Sequence, residues 1–341
     1  MNKPNVSIVI PTYNVAKFLR QCLDSIAVQT YTDYEVIIVV DGATDGSYEI
    51  AQEFCASHEK FSVFWQENAG SGPARNKGLE KASGELVMFV DPDDWCKDDL
   101  LESLVKAQSR NNSDLTISGR IHVRFDENGE EIDKTDSKRI INGSFSGRND
   151  VRNVYMDLFC KGLLSDPTNK LYKLSLIRDN QIEFPDMRRS QDIVFNYRYY
   201  NVITSVTAID YSGYYYRVLY SDAYPKIWTG YAQAIKVMYS DILEMYRKWG
   251  VELNDKMLCS RAYLGWIYGY LQICVRTKTD IVPIVSDATI HHIIENAHTT
   301  NGQANMLAWL LSHNLLFLSK IWLSIIIGGK RTLRYTRKNK A

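Results

Sequence analysis

Short unbroken apolar runs, separated by amphipathic stretches, dominate the first hundred residues. Residues 6–10 (VSIVI) form a continuous apolar run closed by Pro11, the pattern of a strand buried on both faces. Residues 35–40 (EVIIVV) repeat it and end at Asp41-Gly42, and residues 86–90 (LVMFV) repeat it again before Asp91. Residues 61–66 are a further strand. Between these runs, residues 16–29 set Phe18, Leu19, Leu23 and Ile26 at helical spacing, and residues 48–58 and 73–82 also read as helices. Alternating strands and helices predict a parallel, doubly wound α/β sheet, in which ligands bind beyond the carboxyl ends of the strands.

The alternation stops beyond residue 105. Residues 115–125 alternate like a strand, Asn128-Gly129 offers a turn, and residues 139–145 are expected to return as the second strand of a hairpin. Residues 190–200 read as a helix and 205–217 as a tyrosine-rich strand. From residue 226 the pattern is helical, over 231–249, 255–276, 285–296 and 305–327. Neither an internal repeat nor a low-complexity linker interrupts the chain.

The loops after the strands carry the candidate chemistry. PTYN at 11–14, DGATDG at 41–46, NAGSGPARNKG at 68–78 and DPDD at 91–94 should all meet on one sheet edge, which suggests a polar ligand site. Asp91 and Asp93, two apart in a turn, offer hard oxygen ligands suited to Mn²⁺ or Mg²⁺, a cation that would neutralise a diphosphate leaving group. Asp94 joins them or caps a helix beginning near Trp95, with Asp98 and Asp99 in its first turn. Asp41 either accepts a hydrogen bond from a nucleobase N–H or simply forms an Asp-Gly turn. In residues 68–78, backbone N–H groups at a helix start beside Arg75 favour phosphate. The segment lacks the GK[ST] of a Walker loop, and Arg75 stands where a dinucleotide fingerprint has its third glycine.

Composition narrows the class. The chain has 341 residues, 45% hydrophobic and 23% charged, which excludes a disordered or collagen-like protein. Forty basic residues balance 40 acidic ones, so overall charge gives no sign of a nucleic-acid partner. Six of the basic residues (Lys330, Arg331, Arg334, Arg337, Lys338, Lys340) lie in the last twelve positions, with no acid among them. The six cysteines (Cys22, Cys55, Cys96, Cys160, Cys259, Cys274) form no CxxC pair and have no histidine at ligand spacing, so structural zinc is not expected and free thiols suit a reducing compartment. The six histidines, His291-His292 among them, read as surface or satisfied groups. No signal peptide is legible at the N-terminus, because the first apolar run is too short, and the expected compartment is the cytoplasm.

Taken in order, the motifs PTYN (11–14), DGATD (41–45), N-x-G…ARN-x-G (68–78), DPDDW (91–95), NKLY (169–172), QD-x-x-F-N (191–196) and YYYR…S (214–221) resemble those of the family 2 inverting glycosyltransferases, and are closest to bacterial enzymes of surface polysaccharide synthesis. The resemblance covers the first two thirds of the chain. It implies the GT-A fold, a Rossmann-like mixed sheet flanked by helices, followed by a mainly helical C-terminal region. Residues 1–105 would then form the nucleotide-sugar-binding half, 106–225 the acceptor-binding half and 226–341 the helical region. The resemblance further implies that Pro11, Thr12 and Tyr13 line the nucleotide pocket and that Asp41 binds the base, most often uracil. Arg75 would lie near the diphosphate, Asp91 near the ribose or the metal's water shell, and Asp93 on the metal. Asp192, in the slot of the family's Glu-Asp pair, would be the general base. Val40 stands where many relatives carry a first Asp, Ala43 replaces a common Ser, and Gln191 replaces the Glu before the base.

Chemistry points to Asp192 as well. Inverting transfer needs one base to take the acceptor hydroxyl's proton as that oxygen attacks the anomeric carbon. The alternative is that Asp192 or Ser190 caps the following helix. At the other end of the chain, residues 307–327 hold a broad apolar face broken by Ser312, His313, Asn314, Ser319, Lys320 and Ser324, and its cleaner part, 315–327, is 13 residues, about 20 Å as a helix and too short to span a bilayer. Followed by the basic tail, residues 305–341 read as a peripheral anchor on the inner face of an anionic membrane, with a packed helix or a dimer contact as alternatives. The implied partners are a nucleotide-sugar donor and a glycan or lipid-linked acceptor. The competing classes are a non-catalytic nucleotide-sugar-binding scaffold at the membrane and a nucleotidyltransferase, which would need a glycine-rich triphosphate loop where PTYN stands.

Overall fold

The structure, a computed structural model, describes residues 4–126, 128–136, 141–187, 190–219, 230–298, 302–313, 315–316 and 318–326, the side chains of 257, 261 and 262 excepted. The chain divides into two compact units, Met1–Ser221 and Asp222–Ala341.

The first unit opens with β1 (Val6–Thr12), α1 (Ala16–Ala27), β2 (Tyr34–Asp41), α2 (Ser47–Ser57), β3 (Phe61–Gln66), α3 (Ser71–Lys81) and β4 (Leu86–Phe89). β1 lies between β2 and β4, β3 lies outside β2, and all four strands are parallel. β1 is buried throughout and β2 at every residue but Glu35, as expected of strands covered on both faces. α1 turns Leu19, Cys22, Leu23 and Ile26 into a core shared with Ile8, Ile10, Ile38 and Phe54. α3 sits so close to β1 that a Cβ on Gly78 would overlap the Val9 side chain.

There follow β5 (Trp95–Cys96), α4 (Leu100–Asn111), β6 (Leu115–Phe125), β7 (Glu131–Asp136), β8 (Gly143–Ser146), α5 (Arg148–Cys160), β9 (Lys170–Lys173), α6 (Leu174–Asp179), α7 (Gln191–Val202) and β10 (Ser205–Leu219). The sheet order is β3-β2-β1-β4-β9-β6-β10-β5, with β7 on β6 and β8 on β10. β9 runs antiparallel to both β4 and β6, so it joins the parallel half to the rest and makes the sheet mixed.

Two expectations are corrected here. The strand that returns from Asn128-Gly129 is β7, whose six residues are all exposed and carry no apolar alternation. The expected return over 139–145 falls partly on residues 139 and 140, outside the described residues, and its remainder enters β8, which pairs antiparallel with β10. No helix begins at Trp95: β5 pairs with β10 through Trp95↔Tyr215 and Cys96↔Tyr214. The next helix, α4, starts at Leu100, and Asp99 takes its N-cap position without a side-chain capping bond.

The second unit contains α8 (Tyr231–Trp249), α9 (Asp255–Leu258), a π-helical turn (Cys259–Tyr263), α10 (Leu264–Arg276), α11 (Val282–Val285), α12 (Ala288–Asn296) and α13 (Gly302–Ser312), and residues 318–326 are again helical. The helix expected over 285–296 is split because Asp287 caps α12, accepting from the N–H groups of Thr289 (3.0 Å) and Ile290 (3.3 Å). The helix expected over 305–327 starts at Gly302 and is interrupted after Ser312. Ile327 and the basic residues from Lys330 onward, like Ser221 of the YYYR…S motif, lie outside the described residues. Among the described residues no helix is long and apolar enough to cross a membrane.

Gly78→Ala places a methyl against Val9 at the α3–β1 contact. It should destabilise the first unit by about 1–3 kcal/mol, read as a lower urea midpoint.

Candidate active site

Because β1, β2 and β4 are parallel, their carboxyl ends bring Thr12, Asp41 and the loop at Asp91 to one edge of the sheet. Pro11 and Thr12 are buried there, whereas Tyr13 is 51% exposed. The loops after β1 and β2 form one hydrogen-bonded unit. Asn14, in the left-handed region at φ 48°, accepts the Thr44 N–H on Oδ1 (2.8 Å), and the Asp45 carboxylate accepts the N–H groups of Ala16 (2.9 Å) and Ser47 (3.1 Å). PTYN and DGATDG therefore hold each other's shape.

The Asp41 carboxylate faces the loop that follows β3. One oxygen accepts from Gln66 Nε2 (2.7 Å) and the Ala69 N–H (2.8 Å), and the other from the Gly70 N–H (2.8 Å) and, more weakly, Asn68 Nδ2 (3.4 Å). A carboxylate has about four lone-pair positions, and the loop fills them. Asp41 is 2% exposed, so a nucleobase N–H could reach it only by displacing one of these donors. In this structure Asp41 shapes the 66–70 loop. Gly42 makes this possible: at φ 66° it lies so near Asn68 that a Cβ would stand 2.7 Å from the Asn68 nitrogen.

The acidic turn after β4 is braced from β10. Asp94, 1% exposed, accepts from the Tyr214 hydroxyl (2.7 Å) and the Arg217 N–H (2.7 Å), so it caps no helix. Burial, reinforced by Asp91 and Asp93, pushes its carboxyl well above the usual range. The Tyr214 hydroxyl also receives the Asp91 N–H (3.1 Å), and Arg217 Nε donates to the Asp93 carbonyl (2.6 Å). The Arg217 guanidinium lies 4.6–4.7 Å from the ring centres of Phe18, Trp95 and Phe125. With the turn held by these bonds, the Asp93 carboxylate has its own backbone N–H as donor, and burial followed by Asp91 raises its pKa. A half-buried carboxylate beside Asp91 fits a hard divalent cation, whose charge would offset their repulsion.

Asp192 reaches this turn from α7. Arg75, on α3 and 4% exposed, donates through Nη1 to Asp192 Oδ1 (2.9 Å) and through Nη2 to Asp91 Oδ1 (2.8 Å). Its guanidinium lies 5.3 Å from the Phe184 ring. Arg75 thus bridges two carboxylates, one from the strand-end loop and one from a helix 117 residues away. Burial works against its charge, but Asp192 and Asp91 outweigh it and raise its pKa. At Asp192 burial dominates: against the pull of Arg75, and with Asp91 adding to it, the carboxyl is raised to about 6. Ser190 holds the N-cap position of α7 without a capping bond, and the Asp192 carboxylate is turned to Arg75, so neither caps the helix by its side chain. Gln191 donates to Ser71 Oγ, tying α7 to the start of α3.

The NKLY motif and Asn196 of QD-x-x-F-N carry no role in the sequence reading, and the structure ties them together. Tyr172 of NKLY donates to Asn196 of QD-x-x-F-N (2.8 Å), and Asn196 Nδ2 donates to the carbonyls of Leu164 (2.9 Å) and Asp166 (3.0 Å). Lys170 is fully buried, bonded to the carbonyls of Asp166 (2.8 Å) and Thr168 (3.0 Å), and burial lowers its pKa to about 8. Arg120 pairs with Asp166. Asp166 and Lys170 both act electrostatically on Asp192. The motifs NKLY and QD-x-x-F-N themselves were the visible signals.

A mixed α/β sheet with this polar edge is the GT-A glycosyltransferase fold. The same fold is seen in S. aureus TarS 1–349 in complex with UDP-GlcNAc, at a TM-score of 0.59 and 19% identity, over 95% of this chain and 92% of that one. Residues 7–166 match glycosyl transferase family 2, and the chain belongs to that family. It is 31% identical to EpsH of Bacillus subtilis (strain 168) over 64% of this chain and 62% of EpsH. It is 30% identical to glycosyltransferase GlyG of Streptococcus pneumoniae serotype 4 over 62% of this chain and 70% of GlyG. The match thus spans less than two thirds of EpsH.

The raised carboxyl of Asp192 has a consequence for stability. Its ordinary value is 3.8 and its folded value about 6, so between these the native state binds more protons than the unfolded chain, and stability falls as pH rises. Asp192→Asn removes this slope. Its urea unfolding free energy should gain about 1–3 kcal/mol on the wild type between about pH 4 and 6.5, the range allowing for partial solvent screening.

Proposed function

We propose that the chain is a metal-dependent inverting glycosyltransferase, which moves a sugar from a nucleotide diphosphate, with UDP the favoured nucleotide, to a hydroxyl of a glycan or lipid-linked acceptor in bacterial surface polysaccharide synthesis. The observation that carries this reading is the Arg75 bridge between Asp91 and Asp192, which sets a candidate base beside a candidate metal-binding turn. With a carboxyl near 6, Asp192 is ionised at neutral pH yet more basic than a surface aspartate, as a general base requires. The acceptor oxygen attacks the anomeric carbon, its proton passes to Asp192, and the bond to the diphosphate breaks with its electron pair leaving on the phosphate oxygen. Asp93, with Asp91 beside it, would hold Mn²⁺ or Mg²⁺, which when bound supplies charge stabilisation of the departing diphosphate. Arg75 fixes the Asp192 carboxylate and keeps it ionised. Pro11, Thr12 and the exposed Tyr13 line the nucleotide site, and Asp41 supports it through the 66–70 loop. On this reading residues 1–105 bind the donor and 106–225 the acceptor. The TarS complex with UDP-GlcNAc supports UDP as the first nucleotide to test.

Residues 305–341 are proposed to hold the protein peripherally on the inner face of the cell membrane. In residues 318–326, Ser319, Leu323 and Ile326 are buried, while Leu318, Ile321 and Ile325 form an exposed apolar stripe at helical spacing. Met306 and Trp309 are exposed on α13. Six basic residues follow in the sequence, which suits an anionic leaflet.

Calorimetric titration with UDP, GDP, CMP and dTDP, each with and without Mn²⁺, tests the donor site. One nucleotide should bind in a Mn²⁺-dependent manner, and Asp93→Ala should remove that dependence. Asp192→Asn should cut transfer by about 10²–10⁴-fold while donor affinity stays within about threefold. The wild-type kcat/KM should rise with pH through about 6 as Asp192 ionises. Donor binding with turnover that survives Asp192→Asn would remove the base assignment, and donor binding without any turnover would favour the scaffold class. Separately, the protein should co-sediment with phosphatidylglycerol vesicles, less so in high salt and less so as Ile321→Glu/Ile325→Glu.

A further inference from the structure

The helical unit holds a cluster of three side chains of metal-ligating types. Asp255 opens α9 and Cys259 opens the π-helical turn, four residues on and therefore on the same helical face. His292, from α12, faces both. His292 Nε2 stands 2.7 Å from Asp255 Oδ2, and Cys259 Sγ stands 3.6 Å from Asp255 Oδ1. One ligand atom from each residue lies within 4.8 Å of the other two. Zinc bonds of about 2.0–2.3 Å in a tetrahedron put ligand atoms about 3.3–3.8 Å apart, so small side-chain adjustments suffice to close on an ion.

The surroundings suit a site rather than a chance contact. The Tyr239 hydroxyl, from α8, donates to Asp255 Oδ1, so the carboxylate has a neighbour that fixes its orientation. π-helical turns occur often at functional sites, and this one begins at the thiol. Cys259 is fully buried and closes the inner side, while His292, 48% exposed, leaves a path from solvent. A thiol, an imidazole and one carboxylate form a borderline-soft set, unlike the all-oxygen pair Asp91 and Asp93.

We infer that Asp255, Cys259 and His292 form a zinc-class divalent-metal site with a fourth position open to water, which ties the Asp255–Cys259 turn to α12. Binding would deprotonate the Cys259 thiol and release that proton to solvent, and it would stabilise the unit by linkage.

The test uses the full chain with Co²⁺ as the probe, in excess Mg²⁺ so that all-oxygen sites are filled. One equivalent of Co²⁺ should bind with a thiolate-to-cobalt charge-transfer band, be displaced by Zn²⁺, and lose the band in Cys259→Ser. Because Cys259 is buried and its variant could misfold, His292→Ala at the exposed ligand is the second variant. It should weaken Co²⁺ binding by more than about a hundredfold and abolish the rise in Tm that Zn²⁺ gives the wild type. Absence of a thiolate band in the wild type, or a band that persists in folded Cys259→Ser, overturns the site. Wild-type affinity in His292→Ala does so too.

Discussion

A buried guanidinium cannot stand without counter-charge, and the first unit is organised around the one at Arg75. Its two carboxylate partners come from the loop after β4 and from the start of α7, elements that also meet through the edge-to-face rings of Phe89 and Phe195. Removing one member of a buried pair of this kind typically costs several kcal/mol, because the remaining charge keeps its desolvation penalty without compensation. The bridge therefore fixes geometry as well as charge. It holds Asp192 where its carboxyl is raised by burial yet still held ionised at neutral pH by the adjacent cation.

The acidic turn shows how neighbouring carboxylates are separated by role. Asp94 is buried and spent on Tyr214 and Arg217, while Asp91 shares Arg75 and Asp93 has its own backbone N–H as donor. Three acidic groups in four residues repel one another, and only the first is directly paired with a cation through its carboxylate. Asp41 follows the same logic at the neighbouring strand end. Its acceptor positions are filled by loop donors, so it acts on the site through the conformation of residues 66–70.

The two units present donors of different hardness. The strand-end turn offers carboxylate oxygens, suited to ions that also coordinate phosphate, whereas Asp255, Cys259 and His292 combine oxygen, sulfur and nitrogen. Cysteine and histidine spacing along the chain gave no sign of the second group, because His292 reaches it from a separate helix.

What the sequence determined by itself was the parallel half of the sheet and the edge on which chemistry gathers. The runs at 6–10, 35–40 and 86–90 are apolar because helices cover both faces, and a local pattern suffices to mark such strands. The seven motifs in order likewise marked the family. Tertiary structure decided everything that depends on pairing across distance. β7 is exposed on all six residues and has no apolar alternation to read, and β9 is a four-residue strand set by its two neighbours. Trp95 joins β10 because Asp94 finds its donors there, and no local signal distinguishes that from a helix start. The state of each carboxylate was hidden for the same reason: it depends on which donors and charges fold against it, and those lie tens to more than a hundred residues away.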